Sequence, residues 1–164
     1  MANYFLEEKD SFTVVSIGTE LKSQYTDFAG INKEKSDFWQ AASQDGTLDD
    51  LKAIATNDYV FIVNEAVNNK MMHYAGVMSE APAPAAGESR ESRVVQFPKG
   101  EYLVVKGEGN TIEELSNTVT GIAFGQALPE ANHVAYVGGP NAAVVMGKRD
   151  GLFYGEMWIP VVRK

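Results

Sequence analysis

Ser79-Glu-Ala-Pro-Ala-Pro-Ala-Ala-Gly-Glu-Ser-Arg-Glu-Ser92 is the clearest break in this chain. Prolines, alanines and serines alternate there without any apolar periodicity, the composition of a flexible connector rather than of a packed element. It falls near the middle of 164 residues. On either side of it the same succession is legible: strand, helix, strand, strand. Two such stretches define pseudo-repeats of about 1–80 and 93–164 joined by a connector over 79–92, all within one domain spanning 1–164.

Before the connector, Phe12-Thr-Val-Val-Ser-Ile-Gly-Thr-Glu-Leu21 carries the β-branched residues and partial alternation of a strand. A helix is expected to start after Asn32, with Phe38, Trp39 and Ala42 on its apolar face and Gly46 interrupting it. Thr47-Leu-Asp-Asp50 resembles a capping box and opens a second helix with Leu48, Leu51, Ile54 and Ala55 on one side. Two strands follow, Tyr59 to Glu65 and Met71 to Met78, around a turn at Asn68-Asn69.

After the connector, strands are expected over Arg93 to Phe97 and Glu101 to Lys106, around Pro98-Lys99-Gly100. Thr111-Ile-Glu-Glu114 is a well-formed capping box, and Ile112, Leu115, Val119 and Ile122 share one helix face that Pro129 is expected to end. His133 to Val137 and Ala142 to Met146 flank a hairpin signal at Gly138-Gly139-Pro140-Asn141. Asp150-Gly151 marks a tight turn before the last strand, Leu152 to Val162. The pattern is α+β: a duplicated β-α-β-β repeat with antiparallel sheets, and a groove where the two halves meet. Such a junction is a favoured place for a ligand pocket.

The composition excludes several classes of function. With 45% hydrophobic and 22% charged residues the chain is ordinary globular protein, long enough to bury about 70% of its extended-chain surface without disulfide or metal staples. There are no cysteines, which fits a reducing compartment and removes thiolate nucleophiles and cysteine metal sites. No signal-like start and no apolar run of membrane-spanning length occurs, so a cytoplasmic protein with no membrane partner is expected. The 22 acidic residues outnumber the 14 basic ones, for a net charge of −8. A surface of this sign repels phosphate backbones, so no direct nucleic-acid binding is expected, while a cationic ligand or a basic protein partner is favoured.

The two histidines, His73 and His133, lie sixty positions apart, too few and too far apart to build the three-ligand set of a catalytic metal. Lys106-Gly-Glu-Gly-Asn-Thr111 follows a strand and opens a helix, but Ile112 stands where a third glycine would be and Glu108 would oppose a pyrophosphate. No cofactor, no metal and no catalytic residue is assigned. The residues that do point to binding are aromatic. Tyr59, Phe61, Tyr74, Tyr102, Tyr136, Phe153, Tyr154 and Trp158 lie near strand ends, with Trp39 on the first helix; they supply π faces for flat or cationic ligands, or else core packing. Glu156 stands among apolar residues of the last strand, where alternation puts it on one face with Trp158 and Pro160. A carboxylate there needs a hydrogen-bond donor, a cation or a ligand, unless that face is solvated.

Taken in order, Phe12-Thr-Val-Val15, the Phe38-Trp39 helix, His73-Tyr-Ala-Gly-Val77, Phe97-Pro-Lys-Gly-Glu-Tyr-Leu-Val-Val105 and Glu156-Met-Trp-Ile-Pro-Val161 resemble the GyrI-like effector-binding family. That family includes the ligand-binding domains of AraC-type and multidrug-responsive transcription regulators. The resemblance covers nearly the whole chain. It implies a ligand cavity between the halves, with a glutamate of the final strand, here Glu156, beside aromatic residues, here Trp39, Tyr74 and Tyr102. Trp158 joins them as the neighbour of Glu156 on its strand face. Some relatives are regulators with a helix-turn-helix domain ahead of this module; with so few residues before Phe12, no DNA-binding headpiece is expected here.

The function expected is therefore that of a stand-alone small-molecule (effector) binding domain for amphipathic or cationic aromatic ligands, linked to transcription regulation by the resemblance. Two other classes stay open: a small-molecule hydrolase with Glu156 as general base, and an acidic protein-interaction or inhibitor module.

Overall fold

The computed structural model describes residues 3–24, 26–82, 90–138 and 140–164. These form one antiparallel sheet of nine strands: β1 Phe5–Lys9, β2 Phe12–Leu21, β3 Val60–Val67, β4 Lys70–Met78, β5 Glu91–Phe97, β6 Gly100–Gly109, β7 Val134–Tyr136, β8 Asn141–Arg149 and β9 Leu152–Arg163. Three helices accompany it, α1 Phe28–Gln44, α2 Thr47–Ile54 and α3 Ile112–Ile122.

The strand order is β1-β6-β9-β8-β3-β4-β2-β5, with β7 added alongside β9. Within residues 12–78 the order is β2-β4-β3, and within 100–163 it is β6-β9-β8. The two sets meet at the sheet centre, where β3 pairs β8 with Val60 opposite Val145 and Asn64 opposite Asn141. The outer strands are exchanged. β1, which leads into β2, pairs with β6; β5, which leads into β6, pairs with β2.

Short-range chemistry accounts for the turns. Asn68 and Asn69 adopt φ of 52° and 64° and join β3 to β4, the left-handed pair that suits a two-residue hairpin. Asp150 and Gly151 do the same between β8 and β9. Tyr102 donates its hydroxyl to the Pro98 carbonyl at 2.7 Å, tying the start of β6 to the turn before it. Thr111 caps α3 by accepting the Glu114 amide at 3.0 Å, satisfying one of the free N–H groups of the first turn.

Other boundaries differ from the sequence reading. Helix α1 starts four residues before Asn32, because the Asp27 carboxylate accepts the Gly30 amide at 3.0 Å. Thr47 is the first residue of α2 rather than its cap: the cap is Gly46, at φ 88°, and the Asp45 carboxylate before it takes both the Thr47 amide at 3.0 Å and the Thr47 hydroxyl at 2.6 Å. Pro129 does not end the α3 segment. A π-helical turn over Ala123–Ala127 leads into a last helical turn, Leu128–Glu130, where a proline near the start needs no N–H partner. Strand β7 pairs β9 rather than β8, since both edges of β8 are already taken by β3 and β9. Strand β1 is missing from the sequence reading because three of its five residues are charged, the pattern of a protected sheet edge. The connector centre, residues 83–89, lies outside the described residues, as does Gly139 of the expected hairpin turn.

The sheet has two unlike faces. Val15, Ile17, Ile62, Ala75, Val77, Leu103, Val105, Val145, Met157 and Ile159 pack beneath the helices against Phe38, Trp39, Leu51, Leu115 and Val119. The alternate residues, among them Val14, Phe61, Tyr74, Phe97, Tyr102, Val144 and Trp158, form a second buried cluster. Phe12 of β2 lies 5.7 Å from Trp158 of β9, ring to ring, and stacks on Phe97 at 4.6 Å. Four strand spacings separate β2 from β9, roughly 19 Å in a flat sheet. Rings in contact across that span show that the sheet curls around this second cluster.

Candidate functional site

Helices α1 and α3 stand over the middle of the sheet without packing tightly on each other, and a cavity of about 230 Å³ opens between them. From α1 come Asn32, Lys35, Ser36 and Trp39. Their i, i+3, i+4 and i+7 spacing places them on one helix face. Helix α3 contributes Glu113, Ser116 and Asn117, again one turn apart, and Ile62 of β3 and His73 of β4 complete the lining. A shallower groove of about 320 Å³ shares Ser36, Trp39 and Glu113 and runs on past Gln40, Asn110 and Phe153.

The cavity wall is held by a buried hydrogen-bond chain. Trp39 donates its indole N–H to His73 Nε2 at 2.9 Å. An indole nitrogen is a donor only, so Nε2 must be the acceptor nitrogen of a neutral imidazole. The proton then resides on Nδ1, which donates to Asn64 Oδ1 at 2.7 Å. Burial, aided by the nearby Lys35 charge, pushes His73 down to about 3, so the ring stays neutral at physiological pH. Both ring nitrogens are engaged, leaving His73 no free lone pair with which to act as a base. Phe38 meets the ring edge-on at 5.7 Å.

Lys35 is the cation of this lining. Burial lowers the pKa of its amine, and among the described residues no carboxylate lies within ion-pair distance of it. Its helix neighbour Lys33 differs on both counts: it pairs with Asp37 at 2.8 Å, and that partner raises its pKa.

The five residues singled out from sequence are not brought together. Trp39 lines the cavity under the helices. Glu156, Trp158, Tyr102 and Tyr74 belong to the opposite face: Met157 and Ile159, which alternate with Glu156 and Trp158 on β9, point to the helices, and Tyr102 of β6 and Tyr74 of β4 lie in the second cluster with Trp158. Glu156 does share a face with Trp158, whose indole donates to Oε1 at 2.8 Å. Its carboxylate lines a separate groove of about 440 Å³ with Lys106, Glu108, Met146, Arg149 and Tyr154. Trp158 and Tyr102 are buried within the aromatic cluster, with the Lys9 ammonium 3.8 Å over the Trp158 ring. Tyr74 is buried in the same cluster and borders a third groove beside Glu91 and Arg93.

Sequence reasoning passed over His73, Lys35, Glu113, Ser116 and Asn117 as cavity residues. The available signal was the mixture on α1 of polar side chains with Trp39 at helical spacing, and of Ser116 next to Leu115 on the inner side of α3. Among the described residues no group of three or more His, Cys, Asp or Glu side chains is placed to hold a metal ion. No helix among them is long and apolar enough to cross a membrane.

A curved antiparallel sheet with a cavity between two of its helices is an arrangement able to hold a small molecule. The chain belongs to the Cass2 family of integron-associated effector binding proteins, whose family model matches residues 6–161. Solved structures of similar fold include ones 10–19% identical in sequence. SAV2435, in a structure bound to tetraphenylphosphonium, has a TM-score of 0.71 and 16% identity over 98% of this chain and 94% of that one. The integron cassette protein VCH_CASS2 from the mobile metagenome of Vibrio cholerae has a TM-score of 0.56 and 10% identity over 97% and 95%. EcmrR, seen in a complex with DNA, has a TM-score of 0.58 and 12% identity; the match covers 99% of this chain and 58% of EcmrR. Comparison with curated proteins gives no match.

Proposed function

We propose that this protein binds a small amphipathic aromatic molecule, preferentially a cation, in the cavity between α1 and α3. The observation that carries this reading is a concave site between the helices whose wall is a tryptophan locked in place by a buried histidine. A rigid indole offers a π surface at little entropic cost, and in the same lining the Glu113 carboxylate attracts a cation while the Lys35 amine opposes it. The overall charge of −8 adds to the attraction. The structure of SAV2435 with tetraphenylphosphonium supports a lipophilic aromatic cation as the ligand class for this fold. A molecule of that size would occupy the adjoining groove as well as the cavity. Any role in transcription would run through such an effector and a partner protein, since an acidic surface is a poor one for DNA.

Thermal shift tests the reading on wild type, Glu113→Gln and Glu156→Gln, against tetraphenylphosphonium, neutral aromatics and aromatic carboxylates. A ligand present at a hundred times its Kd adds about 2.7 kcal/mol, which for a chain of this length raises the Tm by roughly 5–10 °C. The expected result is stabilisation by the cation, lost in Glu113→Gln and kept in Glu156→Gln. Loss in Glu156→Gln alone would move the site to the groove on the opposite face, and no shift from any class would overturn the proposal.

A further inference from the structure

We propose that Lys35 is a nucleophilic amine that captures aromatic aldehydes in this cavity as an imine. The inference rests on the inter-helix cavity being the ligand site. Lys35 sits one helical turn before Trp39 on the same face of α1, so an aromatic molecule lying against the indole brings its substituent within reach of the amine. The titratable groups facing it are His73 from β4 and Glu113 from α3. His73 is a neutral ring whose nitrogens are both engaged, and it senses the Lys35 charge directly. Neither it nor any described carboxylate pairs with the amine. Partial burial without a partner lowers the pKa of this amine and so raises its share of free base above that of a solvated lysine.

The chemistry balances without a co-reactant. The Nζ lone pair attacks the aldehyde carbon and the C=O π electrons pass to oxygen. Both hydrogens of the amine end on that oxygen, which leaves as water as the C=N bond forms.

The test treats the full chain at neutral pH with cinnamaldehyde and cyanoborohydride, which reduces any imine to a stable secondary amine, and maps the adducts by mass spectrometry. Lys35 is expected to be modified faster than Lys33, whose ammonium is held by the Asp37 carboxylate at 2.8 Å. Lys35→Arg should remove that adduct and leave the others unchanged. Equal rates at Lys35 and Lys33 would overturn the proposal, even where tetraphenylphosphonium stabilises the protein and the cavity reading stands. Fast reaction at Lys35 that tetraphenylphosphonium neither slows nor accompanies with stabilisation would uphold the reactive amine and refute the cation reading.

Discussion

Acidification from pH 7.5 to pH 5 should weaken this protein through one residue, His73. The folded chain holds that imidazole neutral, with its value pushed down to about 3 by burial and by Lys35. In the unfolded chain it titrates near 6.5. Between those values the unfolded state binds a proton that the folded state refuses, so stability falls as pH falls. The contribution is complete above pH 6.5, declines through the window down to about 3 and is flat below it. At pH 5 the unfolded chain is 1.5 units below its midpoint, and at 1.36 kcal/mol per unit the loss is about 2 kcal/mol. That figure depends on the unfolded value and hardly on the folded one, provided the latter lies well below 5. Urea unfolding at the two pH values, in wild type and His73→Gln, isolates the effect. Glutamine keeps an acceptor for Trp39 and a donor for Asn64 but has no proton to gain. Wild type should lose about 2 kcal/mol more than the variant on acidification. Equal losses in the two proteins would refute the assignment of a neutral buried imidazole, whatever the baseline cost of the substitution.

Two further changes probe the framework around the site. Tyr102→Phe removes a buried hydroxyl that donates to the Pro98 carbonyl and should cost about 1 kcal/mol in urea unfolding. In the wild-type protein the same hydroxyl is pushed up to about 12 by burial, so an alkaline absorbance titration should show a late-ionising component that Tyr102→Phe removes. Gly18→Ala puts a Cβ into the Tyr74 ring and the His73 carbonyl of the paired strand. It should lower stability by about 2 kcal/mol, read as a Tm drop of roughly 4–8 °C. An unchanged Tm would mean that β2 and β4 are less tightly apposed than described.

Much of the architecture lies within a few residues of chain. Alternation along β9 puts Glu156 beside Trp158, and the indole N–H on that carboxylate shows the pairing directly. Turn chemistry at Asn68-Asn69 and Asp150-Gly151, and the Thr111 cap, follow from backbone preferences that act over two to four residues. For the same reason β2 begins and ends where its pattern of β-branched residues does.

What only the tertiary structure decided is which face of that pattern meets which neighbour. Period-two alternation separates Glu156 from Met157 but carries no mark of the side the helices cover; the family resemblance implies one site for Glu156 and Trp39, which lie on opposite faces of the sheet. The exchange of β1 and β5 between halves, and the pairing of β7 with β9, depend on which edges remain free once the sheet has assembled. The cavity draws on residues 32–39, 62, 73 and 113–117. Positions so far apart in the chain are juxtaposed only by the curvature of the sheet and the gap between two helices, which no local stretch of sequence encodes.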